Sequence, residues 1–269
     1  MDTKAISRAW PWLAISGVLG LLFFFYRFGV TPVNPFQMDW LLAKNDAAFH
    51  FLGWQYYRLE GWHWPPGNID NYYAPAGASI ALTDSIPLVG MFFKVFAPLL
   101  PMPFQYFGWW LCLSYVLQAV FGFLLMSALT NDRRISLAGA CMFLIAPAFL
   151  NRNPHIALAS HWLILAALWM NLNAAELNWK IRSIRWFLLI TMSAGTHAYL
   201  CFTVLALFFA DMAGRAWTGL KEDFRFYAAS VVAMGCWTLF VWYCCGFFVG
   251  RFGGNGNPPF GMYSLNLNA

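Results

Sequence analysis

The chain has 269 residues, of which 61% are hydrophobic, 20% aromatic and only 10% charged, and it carries a net charge of +5. Soluble domains hold roughly 25% charged residues, so this composition excludes a soluble enzyme, a disordered chain, a collagen and a disulfide scaffold. The expected fold is all-α: a polytopic integral membrane helical bundle forming one module over residues 1–269.

The basic residues sit in short clusters between apolar runs, where the positive-inside rule puts them, and give no sign of a nucleic-acid partner. Membrane lipids are the expected surroundings. All six cysteines also lie inside apolar runs, which implies neither a disulfide framework nor a cysteine metal site.

The first expected span is Trp10–Phe28, with Lys4 and Arg8 ahead of it. These two cations place the N-terminus in the cytoplasm. The run is long and lacks a small-x-small cleavage site, so it reads as an anchor rather than a removable signal peptide. A large outer loop, residues 30–103, follows and is expected to contain amphipathic helices.

Five of the eleven acidic residues (Asp39, Asp46, Glu60, Asp70 and Asp84) fall between positions 30 and 85, against two basic ones, Lys44 and Arg58. Irregular loops of this length are uncommon unless functional. Residues 45–61 look helical, with Asn45 as N-cap and Gly61 as stop. Asp46 and His50 then share one face at a spacing of four. The first-turn dipole favours an ionised Asp46, which either takes a proton from a substrate hydroxyl, holds a divalent cation, or simply stabilises the helix end.

Beyond this helix, residues 61–67 (Gly-Trp-His-Trp-Pro-Pro-Gly) read as an extended path with tryptophans at headgroup level. Asp84 and Ser85 precede a proline-started helix over 86–100 that is expected to lie at the outer interface. Asp84 is there either a helix cap or a second site carboxylate.

Further spans are expected at 104–129, at the shorter pair 135–150 and 156–175, and at 226–249, which would deliver Arg251 and the tail outside. The turn between the shorter pair carries Arg152 and His155, and it should face the same side as the long loop. Its arginine suits a phosphate or anchors helix ends by snorkelling. His161 falls at membrane depth in the following span.

Residues 186–211 are flanked by basic clusters on both sides. A break at 193–196, with Thr196 and His197 at the turn, would let two short helices dip in and return; the alternative is one plain span. Asp211, beside Arg215, reads as an interfacial ion pair.

Asp46 with Ala47-Ala48-Phe49-His50, then Trp64-Pro65, then Ile86-Pro87-Leu88 resemble the N-terminal transmembrane module of GT-C fold membrane glycosyltransferases. The chain is more similar still to a bacterial membrane-protein family of unknown function built on that module. The resemblance implies an inverting transfer of a sugar from a polyprenyl-phosphate donor to an acceptor hydroxyl. The reaction would run on the outer face of the bacterial inner membrane, with Asp46 as catalytic base.

It further implies that His50, Arg152, His155 and His197 bind substrate, the last three near the leaving phosphate. Some relatives hold a divalent cation, Mg or Mn, with Asp pairs, which would make Asp46 and Asp84 the ligands, although no Asp-x-Asp is present. Such enzymes usually continue beyond the last span, so the chain is expected to be a fragment or a minimal module. A transporter or flippase of lipid-linked sugars and a non-catalytic assembly subunit are the alternative functions. A single active site requires Asp46 to lie within about 10 Å of the Arg152, His155 and His197 set.

Overall fold

A computed structural model describes residues 3–43, 45–72, 74–152, 154–173, 179–219 and 224–248. It is mostly helical. The long first helix, α1 (Thr3–Phe28), leads to two loop helices, α2 (Asp39–Leu42) and α3 (Asn45–Leu59). Two paired strands follow, β1 (Asn68–Ile69) and β2 (Ala78–Ser79), and then α4 (Pro87–Val95). The remaining helices are α5 (Phe107–Ser127), α6 (Arg133–Ile145), α7 (Pro147–Leu150), α8 (Trp162–Leu172), α9 (Trp179–Ala194), α10 (Ala198–Gly219) and α11 (Phe224–Cys245).

Four stretches within these helices are long and apolar enough to cross a membrane: Trp10–Phe28, Phe107–Ser127, Ala198–Trp217 and Arg225–Cys245. Helix α5 is the central one and packs against α1, α6 and α8. Gly20 permits the closest of these approaches, because a Cβ there would run into the Tyr115 backbone. Small residues at such crossings let helix backbones approach directly. The core is aromatic, with Phe24, Phe107, Tyr115, Phe123 and Phe149 fully buried.

The break expected near 193–196 is present. Helix α9 stops at Ala194 and α10 starts at Ala198. Arg182 and Trp186, early in α9, meet Asp211, late in α10, so the two helices run antiparallel as a hairpin. A plain single span is therefore ruled out. The two arms are not short, however: at ~1.5 Å per residue, the 22 residues of α10 extend about 33 Å.

Asp211 is also deeper than expected. It is buried and accepts from Arg182 Nε at 2.7 Å and Trp186 Nε1 at 2.8 Å, with Arg215 3.3 Å away. The indole donor and the second cation make a buried carboxylate tolerable.

The expectation for 156–175 needs correction, because the helix there begins only at Trp162. Residues 156–161 form turns whose Ile156, Ala157 and Ala159 are buried, and Trp110 Nε1 donates to Ser160 Oγ at 2.9 Å. Apolarity recorded burial here, not helix.

The loop also departs from an all-α reading through its antiparallel pair, Asn68 opposite Ser79 and Ile69 opposite Ala78. Helix α4 forms within the expected 86–100 but covers only Pro87–Val95, and its Lys94 points inward and is only 3% exposed. The last helix stops at Cys245, short of the expected 249, with Gly246 following at φ 81°; Arg251 and the tail lie outside the described residues, as does the Asn45 side chain.

Candidate functional site

Helix α3 carries Asp46 in its first turn and His50 one turn later. Asp46 Oδ2 lies 3.1 Å from His155 Nε2, and both side chains remain partly open to solvent. The turn after α7 therefore sits on the same end of the bundle as the long loop. His50 is 2% exposed, and its Nδ1 donates to the Thr83 carbonyl at 2.9 Å. Burial lowers its pKa from the usual 6.5, a shift the Thr83 bond and the Asp84 charge only partly offset.

Residues 83–86 make a sharp turn across α3. Asp84 (φ 51°) and Ile86 (φ 52°) both adopt left-handed backbone, a conformation costly for a β-branched residue such as Ile86. Strain of about 1–3 kcal/mol per residue persists only where neighbours over-determine it, and here they do. Ser85 Oγ donates to His50 O at 2.6 Å and meets Thr83 Oγ1 at 2.8 Å, while Tyr106 Oη donates to Ser85 O. Gly53 is what lets this turn sit against α3, because a Cβ there would overlap Thr83 and Ser85. Ile86 occupies the N-cap position of α4 and makes no side-chain capping bond.

Asp84 is therefore not a helix cap. Its Oδ1 lies 3.3 Å from His197 Nε2, in the break between α9 and α10. The Tyr199 backbone N–H donates to His197 Nδ1 at 3.1 Å. A nitrogen that accepts carries no proton, so the proton of His197 sits on Nε2 and donates to Asp84.

Asp84, Arg152, His155, His197, Tyr199 and Phe247 line one open cleft of about 390 Å³. A second cleft of about 230 Å³ adjoins it and shares Arg152, Leu158 and Tyr199. His161, Ile164, Leu200 and Thr203 complete its walls. Arg152 and Tyr199 thus stand where the two clefts meet, the second lined by residues from α10 and the start of α8.

Asp46 reaches the cleft through its bond to His155, whereas His50 stands behind the wall and does not line it. His161 is at the mouth of α8, on its N-cap, rather than inside a helix. Among the described residues, no three His, Cys, Asp or Glu side chains are arranged to hold a metal ion. Asp46 and Asp84 are each paired with a histidine.

Two features escape a reading of the sequence. Tyr199 is 70% exposed and lies 5.0 Å from the His197 ring, and no local pattern marks it. The second is a group at the far end of the loop. There Glu60 accepts from the backbone N–H groups of Asp70 and Asn71, and His63 bridges Glu60 and Asp70 at 3.2 and 3.1 Å. The i,i+3 spacing of Glu60 and His63 was its only sequence signal. Its carboxylate acceptors are used up in tying the loop together.

One family, described as a domain of unknown function (DUF6311), matches residues 17–269 of the chain. Comparison with curated proteins finds no match, and comparison with solved structures finds none either.

Proposed function

The chain belongs to the DUF6311 family, and we propose that it is a membrane glycosyltransferase of GT-C type, moving a sugar from a polyprenyl-phosphate donor to an acceptor hydroxyl. The observation that carries this reading is the meeting of Asp46, Asp84, Arg152, His155 and His197, drawn from four separate segments, at one amphipathic cleft. A carboxylate, fixed donors and an arginine are the groups that chemistry requires.

In the proposed reaction Asp46 accepts the proton of the acceptor hydroxyl as its oxygen attacks the anomeric carbon. The bond from that carbon to the phosphate oxygen breaks on the opposite face, which inverts configuration. Arg152 binds the departing phosphate with its planar fork of donors. The Nε2–H of His197, held by Asp84, adds a fixed donor whose orientation costs nothing at the moment of reaction. The adjoining cleft, with Leu158, Ile164 and Leu200 in its walls, takes the first prenyl units. The basic clusters ahead of α1 and after α5 support an outward-facing cleft with the N-terminus in the cytoplasm.

Transfer of labelled sugar from a panel of polyprenyl-phosphate donors, in vesicles holding the longest native reading frame, tests the proposal. Asp46→Asn should abolish transfer with expression unchanged. A transporter of lipid-linked sugars would instead move donor across the vesicle without forming product, and would be hurt more by His197→Ala than by Asp46→Asn. An assembly subunit would show neither activity.

A further inference from the structure

A second buried group of charges lies at the other end of the hairpin from the cleft. Tyr199 and Arg215 stand about 24 Å apart along α10, at ~1.5 Å per residue. At that far end Asp211 accepts from Arg182 Nε and Trp186 Nε1, and Arg182 Nη2 faces it as well. The other edge of the same guanidinium is left over. Arg182 is 4% exposed, and its Nη1 has neither accessible surface nor a hydrogen-bond partner among the described residues. A guanidinium only donates, so this nitrogen calls for an acceptor.

Arg182 lines a small cavity of about 40 Å³ between α9, α10 and α11. Ser183, Arg215, Tyr227 and Ser230 are its other polar walls, and Phe208, Met212 and Met234 are apolar ones. All of these polar side chains can donate, and no carboxylate lines the cavity among the described residues. The occupant that fits such walls is an anion. The space would hold about three waters, which is the scale of one phosphate group.

The surroundings indicate where that phosphate comes from. Arg182, Arg185, Arg215 and Arg225 cluster at this end, which the charge rule assigns to the cytoplasm. Trp217, 92% exposed and just beyond Arg215, suits the headgroup level. Helix α11 is the least buried of the four span-length helices, with Val232, Leu239 and Phe240 facing outward. In a bilayer, lipid would lie against the very helix whose Tyr227, Ser230 and Met234 close the cavity. Basic pockets between helices on the cytoplasmic side suit anionic headgroups.

We infer that this cavity binds the phosphate group of an anionic phospholipid from the leaflet opposite the cleft. Arg182 Nη1 donates to a phosphate oxygen, and the acyl chains run along α11. The lipid braces the α9–α10 hairpin against α11. This site is separate from the cleft and stands whether or not the chain is a transferase.

Native mass spectrometry of the full chain, titrated with phosphatidylglycerol and separately with phosphatidylcholine, tests the inference. One phosphatidylglycerol should be held at least about tenfold more tightly than phosphatidylcholine. Arg182→Lys keeps a charge for Asp211 but removes the second edge of the fork. Ser230→Leu fills the cavity and leaves every charge in place, so it decides the matter if the lysine variant does not fold. Each should weaken the adduct about tenfold, the worth of one charge-assisted hydrogen bond. Arg225→Gln, at an exposed position early in α11, should leave the adduct unchanged.

Equal retention of the two lipids would overturn the inference, as would an adduct that survives Ser230→Leu. Arg225→Gln as damaging as Arg182→Lys would reduce the binding to general surface attraction and overturn it too. Inorganic phosphate, added to the same titration, separates the two sources of the group. Displacement of the lipid at equal concentration would give the cavity to free phosphate and contradict the lipid assignment.

Discussion

Asp84 Oδ1 and His197 Nε2 meet at 3.3 Å, joining the strained turn ahead of α4 to the break between α9 and α10. A second bond, from Leu88 N–H to Gly195 O at 2.8 Å, reinforces the same junction. The loop is thereby tied to the helical hairpin at the wall of the cleft, and the donor that His197 offers is aimed by a residue far away in sequence.

This junction separates stability from function at one position. Asn tolerates left-handed backbone as Asp does, so Asp84→Asn should unfold within about 0.5 kcal/mol of wild type. It should still weaken donor binding, because a neutral amide oxygen accepts the Nε2–H of His197 less strongly than a carboxylate and holds the ring less firmly. Asp84→Val puts a β-branched residue at φ 51° and should cost about 1–3 kcal/mol. Thermal unfolding and donor titration of the two variants read the two effects separately.

Lys94 gives a pH dependence. Its ammonium sits 3.8 Å above the Tyr57 ring and 4.8 Å from that of Trp62, and donates to Gly61 O at 3.2 Å. Burial nevertheless pushes its pKa from 10.5 to about 8. The folded chain releases this proton near pH 8, while the unfolded chain keeps it up to about 10.5. Between those values the unfolded state binds more protons, so stability should rise with pH. Denaturation in detergent from pH 7 to 10 should show that rise, and Lys94→Met should flatten it.

The buried Asp211 should behave as one member of a set. Asp211→Ala leaves Arg182 and the Trp186 indole without their acceptor, and should destabilise by about 3–5 kcal/mol. Adding Arg182→Met removes the stranded charge and should restore part of the loss. A double-mutant cycle in which the two losses simply add would contradict a coupled pair.

The architecture was readable where chemistry is repetitive and local. The apolar runs marked three of the four span-length helices, Trp10–Phe28, Phe107–Ser127 and Arg225–Cys245. Basic residues on both sides of 186–211 marked the hairpin, because a single crossing would set one cluster against the charge rule. Asp46 and His50 were readable because a spacing of four puts both on one helix face.

What was hidden depends on contacts distant in sequence. Asp84 looked like a cap because Ser85 and Pro87 follow it. Asp84 tolerates left-handed backbone without requiring it and Ile86 disfavours it, so nothing local announced that conformation. Lys94 looked like an interruption of an interfacial helix, because the ring of Tyr57 that receives it lies in another element. The irregular path of 156–161 could not be told from helix, since burial of Ile156, Ala157 and Ala159 yields the same apolar run.

The central claim is that Asp46 is the base of a site whose donor is held by Arg152 and His197. Single-turnover transfer of labelled sugar, with donor binding measured in the same Asp46→Asn preparation, tests it most directly. The expected result is donor affinity unchanged and product formation lowered by about 10²–10⁴, the usual contribution of a positioned general base. Product formation within a few-fold of wild type, with donor bound, would contradict it and remove Asp46 from the chemistry.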